Sequence, residues 1–160
     1  MLRSVLLKAK EAAIILLIVL PIAVNYGFGP GMSEQDWLVW TNKCLSESYI
    51  PPPDAKLKKW EIELSPDHFL RLRKTYQHDR QEYFSFHISK LDSMNYLENT
   101  TGEELRFKTA NDDIIIQTYE DPKGNIDSTS NAWELPVKNI SPPRLDSLNA
   151  AIKYFKNKSL

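Results

Sequence analysis

The chain has 160 residues, a net charge of −1, 26% charged and 42% hydrophobic side chains, a composition that folds and that excludes a disordered chain. Its charge balance leaves no strongly basic footprint, which excludes nucleic acid as a partner. The single cysteine, Cys44, excludes an internal disulfide, and a domain of this length buries enough core to do without one.

Ala12 to Val24 is a run of thirteen residues without a charged or hydrogen-bonding side chain. Nine of them are Ile, Leu or Val, each favouring a bilayer by about 0.3–0.6 kcal/mol. Extended to Phe28, the run makes roughly 25 Å of helix, near the lower limit for a span. Arg3, Lys8 and Lys10 precede it, and Tyr26 and Phe28 follow at interfacial positions. Positive charge before the span puts the N-terminus in the cytoplasm. Residues 1–28 therefore read as a membrane anchor, in contact with the bilayer through residues 12–28. A cleaved signal peptide competes with this reading, but Gly29-Pro30-Gly31 makes a poor cleavage site. The remainder is then extracytoplasmic, and periplasmic if the source is bacterial.

Residues 29–56 read as a linker with a short helix. Ser33 followed by Glu34, Gln35 and Asp36 is an N-cap with an acidic first turn. Trp37, Trp40 and Cys44 recur at helical spacing, so the helix runs over about 34–46, with Cys44 a small buried hydrophobe. Pro51, Pro52 and Pro53 form a stiff extended connector.

From residue 57 the period changes to two. Trp60, Ile62 and Leu64 alternate with charged residues, as in a half-buried strand. Ser65-Pro66-Asp67 reads as a turn. A hairpin about His78-Asp79-Arg80 pairs Leu70 with Ile88, Leu72 with Phe86 and Lys74 with Phe84 on one face. Arg71 then meets His87, Arg73 meets Ser85 and Thr75 meets Tyr83 on the other. One face is apolar and one polar, as a hairpin over a core requires. Residues 92–103 read as a loop or short helical turn. A second hairpin about Asn111-Asp112 sets Phe107 against Ile116 and Leu105 against Thr118. Asp121–Asn131 is a polar loop. Trp133–Val137 is extended, with Pro136 marking a sheet edge. Ser141-Pro142-Pro143 opens a helix with a serine cap, and Leu145, Leu148, Ile152 and Phe155 form its apolar stripe.

Charge is uneven along the chain: residues 56–90 carry +3, 91–135 carry −7 and 136–160 carry +4. That polarity suits a charged protein partner. No nucleophile elbow or glycine-rich phosphate loop occurs. His68, His78 and His87 lack metal-ligand spacing and read as surface histidines. Asp121, Asn125 and Asp127 depart from a calcium loop in the placing of glycine and the missing glutamate. No cofactor, metal or catalytic residue is assigned, and the chain reads as a non-enzyme. The candidate binding residues are Arg71, Arg73, Tyr83, His87 and Phe69, because arginine beside an aromatic is what interfaces favour.

The fold class expected is α+β: an N-terminal transmembrane helix, then one domain over 57–160. That domain has an antiparallel sheet of about five strands covered by a C-terminal amphipathic helix. The function expected is a membrane-anchored extracytoplasmic protein-interaction module, an envelope-complex subunit or an immunity-type inhibitor. A small-ligand or cell-wall binding domain and an enzyme of unfamiliar type are the alternatives.

Overall fold

The Ser33 hydroxyl accepts from the Asp36 amide at 3.2 Å, and the Ser33 amide donates back to the Asp36 carboxylate at 3.0 Å. This reciprocal cap satisfies donors that the helix cannot, and it opens α1 (Glu34–Ser48). The computed structural model describes residues 31–100 and 102–159. The apolar segment at 12–28 lies outside them. Among the described residues no helix is long and apolar enough to cross a membrane.

After a 3-10 turn at Pro53–Ala55 come β1 (Leu57–Leu64), β2 (Phe69–Tyr76), β3 (Gln81–His87) and β4 (Leu91–Asn99). Then follow β5 (Gly102–Thr109), β6 (Ile114–Tyr119), β7 (Asp127–Ser130), β8 (Ala132–Val137) and α2 (Pro142–Lys158). The pairing is antiparallel throughout. The architecture is α+β, but the strands form two sheets and not one: a five-stranded sheet in the order β1-β2-β3-β6-β7 and a three-stranded sheet β4-β5-β8. The compact unit spans Ser33–Leu160.

The first hairpin forms with the predicted faces and a register shifted by two residues. Leu70 pairs with Phe86, Leu72 with Phe84, Arg71 with Ser85 and Arg73 with Tyr83. An even shift keeps every side chain on its face. The cause lies at both ends. The chain reverses at Gln77–Asp79, where His78 and Asp79 have φ 60° and 62°. At the other end Ile88 leaves the strand for a 3-10 turn, where it is buried and its amide donates to the His68 carbonyl at 2.9 Å. Left-handed backbone costs a side chain about 1–2 kcal/mol. Replacing the pair (His78→Asn with Asp79→Gly) should therefore raise stability by about 1 kcal/mol. A lower urea midpoint for that variant would show that the turn is not strained. The lost Lys58–Asp79 ion pair is exposed and contributes little.

The second hairpin does not form. Both edges of β5 are taken, by β4 and β8, while β6 pairs with β3 and β7. The link through Asn111 and Asp112 crosses from one sheet to the other. Phe107 and Ile116 do face a common core, but from opposite sheets. The segment read as a loop at 92–103 is mostly β4, and the polar loop at 121–131 ends in the short strand β7. Both are edge strands, polar on the side open to water, so neither has the run of large apolar residues that marks a strand.

The inner faces meet through aromatic rings. Phe84 stacks on Trp133 at 5.7 Å, and Phe86 and Phe107 lie 5.7 Å apart with Trp133 beside both. Leu148, Ala151, Ile152 and Phe155 of α2 are buried in the same core, with Leu145 packed at its margin. Ser141 occupies the N-cap position of α2, yet its hydroxyl makes no capping bond; Pro142 at the first position, which has no amide hydrogen to satisfy, takes that role. Leu38, Cys44 and Leu45 of α1 complete the core. Cys44 is 1% exposed, and its sulfur accepts from Arg144 Nε at 3.2 Å.

Each sheet edge is blunted. The Asn42 side chain bonds both the amide (2.6 Å) and the carbonyl (3.0 Å) of Leu64 on β1, standing in for a strand. β7 has four residues, DSTS. β8 carries Pro136 and is bridged by Tyr49. β4 is bulged between Leu91 and Ser93. Such features discourage strand addition along the edges.

Candidate functional site

The five-stranded sheet has a second face, which neither helix covers. Alternation along the strands sends Leu70, Leu72 and Phe86 inward and leaves Phe69, Arg71, Arg73, Tyr83, Ser85 and His87 outward. Register then aligns them in rows. Glu63, Arg71, Ser85, Ile115 and Thr129 lie in one row, and Glu61, Arg73, Tyr83, Gln117 and Asp127 in the next. The five residues singled out in the sequence thus share one surface.

Their contacts flatten it. The Arg71 guanidinium lies 4.8 Å over the Phe69 ring and the Arg73 guanidinium 4.8 Å over the Tyr83 ring. Phe69 meets His87 edge-on at 4.9 Å. Arg71 pairs with Asp67 at 2.9 Å and Arg73 with Glu61 at 3.7 Å. Hydrogen bonds from Ser65 and then Arg71 hold the Asp67 carboxyl below its ordinary range. The arginines are thus neutralised within the face, and stacking on rings keeps their guanidinium planes extended across it.

Sequence reasoning missed the β6 part. Tyr83 meets Tyr119 edge-on at 5.2 Å, and each tyrosine hydroxyl donates to a glutamine two residues away on its own strand, Gln81 or Gln117. Ile115 is 36% and Tyr119 43% exposed, the two large apolar side chains on this face most open to water. The alternation Ile114, Ile116, Thr118 does signal that Ile115, Gln117 and Tyr119 share the opposite face. What it lacks is the identity of the neighbouring strand.

Titratable groups gather in two other places. On the inner face near the β2–β3 turn, Glu82 accepts from the Tyr76 hydroxyl and from Arg80, both at 2.6 Å, and Arg80 also pairs with Asp121 at 2.6 Å. Burial pushes the Tyr49 hydroxyl up to about 12 and, with Glu82, raises Tyr76 as well. The Lys123 amide and then Arg80 hold Asp121 down. These shifts move the groups away from neutrality, which suits an ion-pair network and not an acid or base working near pH 7.

The second place is His68, whose side chain is only 14% exposed, so it is not the surface histidine expected. Its ring bridges Ser159 at 2.5 Å and Glu34 at 3.2 Å. Hydroxyl, imidazole and carboxylate are the parts of an acyl-transfer relay. The placing opposes that chemistry: Ser159 lies at the carbonyl end of α2, whose dipole disfavours a developing oxyanion. Among the described residues no group of three or more His, Cys, Asp or Glu could hold a metal. Two surface grooves of about 550 and 540 Å³ lie beside Pro51–Pro53 and between β4 and α2. Trp60 is the one aromatic ring in the first, and the second has none.

No family model matches the chain, and neither a curated protein nor a solved structure matches it.

Proposed function

We propose that this chain is a membrane-anchored, extracytoplasmic interaction module without catalytic activity, an envelope-complex subunit or immunity-type inhibitor. In this reading it docks a protein partner through the outer face of the β1-β2-β3-β6-β7 sheet. The observation that carries the docking part is the shared face of Phe69, Arg71, Arg73, Tyr83 and His87, extended by Ile115 and Tyr119. Stacked arginines and half-exposed tyrosines lose little side-chain freedom on burial and form the anchors of interfaces. The blunted edges favour the same face. Anchoring rests on the apolar segment at 12–28 and the positive charge before it.

The double variant Arg71→Glu with Arg73→Glu tests the docking reading. Affinity capture with the full chain from its native membranes should return a partner with the wild type. Capture by the variant should fall by at least about thirtyfold, the equivalent of one interface anchor. The melting temperature should stay within a few degrees, because the ion pairs lost are exposed and stabilise weakly. Equal capture by both proteins would refute the docking face. A reporter enzyme fused at the C-terminus that works only in the cytosol would refute the topology.

A further inference from the structure

The groove of about 550 Å³ beside the proline run has the volume of a ligand site. It is lined by residues 51–53, all proline, and by residues 56–60, which lead into β1. The prolines carry no rotatable side chain, and the backbone at Pro52 is extended, φ −52° and ψ 135°. Trp60 is half-buried, and its ring meets the buried Tyr49 ring edge-on at 4.8 Å, so the indole is held in place.

The lining defines its occupant by what it lacks. Lysine ammonium and the indole N–H only donate, while proline and leucine side chains have no polar atom. No side chain lining the groove can accept a hydrogen bond. The occupant must supply the acceptors, and against ammonium groups the strongest acceptors are anionic. Lys56 makes no ion pair among the described residues. Lys58 pairs with Asp79 and Lys59 with Glu61, both at 2.9 Å. These pairs are exposed, hold weakly, and leave each ammonium two hydrogens to give. Asp79, Glu61 and the neighbouring Asp54 do not line the groove.

The ammonium groups are spread along the strand and do not converge. Lys58 reaches back to Asp79 in the β2–β3 turn, and Lys59 reaches Glu61 further along β1. Converging donors grip one phosphate. A row of them suits several carboxylates along an extended chain, with apolar side chains between against Leu57, Trp60 and the prolines. The second Glu61 oxygen lies 3.7 Å from Arg73, so the groove borders the outer face of the sheet. We propose that this groove takes an acidic, extended peptide segment of the partner that docks on that face. The assignment rests on the protein-docking reading above and names the chemistry of the partner.

Fluorescence anisotropy of a labelled peptide alternating glutamate and leucine, titrated at low salt with the full chain in detergent, tests it. Wild-type protein should bind this peptide and not its lysine–leucine counterpart. Lys56→Glu with Lys58→Glu should weaken binding by at least about tenfold. Lys153→Glu with Lys156→Glu makes the same change of charge on α2 and should stay within about twofold, because a general field is screened. No binding by the wild type, or equal losses in the two variants, overturns the groove. Displacement of the peptide by an equal concentration of pyrophosphate overturns the peptide assignment. The two readings fail separately, since this titration reports the groove and capture by the Arg71 and Arg73 variant reports the face.

Discussion

Leu148→Asp should lose at least about 4 kcal/mol of stability, enough to remove most of the folded population of a domain whose total is of order 5–15 kcal/mol. Leu148 is fully buried on the core side of α2. The substitution leaves a cavity and places a carboxylate where neither water nor a cation can solvate it. The cost comes from both effects, so it exceeds that of an alanine. Asn149→Asp, one residue along and exposed, adds the same charge on the other side of the helix and should stay within about 0.5 kcal/mol. Urea denaturation followed by circular dichroism reads both. Equal midpoints would mean that α2 does not pack by this stripe.

Phe86→Ala should cost about 3–5 kcal/mol. Its ring is fully buried and touches Phe107 and Trp133 of the opposite sheet. The loss therefore acts on the contact between the sheets as well as on one strand. Tyr83→Ala, on the same strand but the outer face, should cost much less, because it opens no cavity between the sheets. A Phe86→Ala loss no greater than that of Tyr83→Ala would show that the inner face is not the load of the core.

Local chemistry was readable wherever the signal lay within a few residues. Ser33 and Asp36 cap α1 as their types and spacing require. The alternation at Trp60-Ile62-Leu64, and again on both strands of the first hairpin, reports the buried face correctly even though the register differs by two. The stripe through Leu148, Ile152 and Phe155 is on the buried side of α2. The outer face formed by Phe69, Arg71, Arg73, Tyr83 and His87 follows from the same alternation.

Readings that needed a distant neighbour failed. Phe107 and Ile116 are both apolar and close in sequence, and a tight turn between them is chemically reasonable at Asn111-Asp112. Burial alone does not say whether two strands share a sheet or face one another across a core. β4 was unreadable because an edge strand with a bulge presents polar residues and a broken period. His68 resembles any polar turn residue in sequence. Its burial comes from Glu34, thirty-four residues before it, and Ser159, ninety-one after it.

The order of residues alone determined the period of each element, which face of it is greasy, where α1 begins, and which arginines and rings alternate onto a common side. These depend on backbone geometry over two to four residues. The assignment of strands to two sheets, the addition of Ile115, Gln117 and Tyr119 to the outer face, and the junction at His68 were decided by tertiary structure. Each depends on which surfaces exclude water from one another, and that choice is made by the whole chain at once.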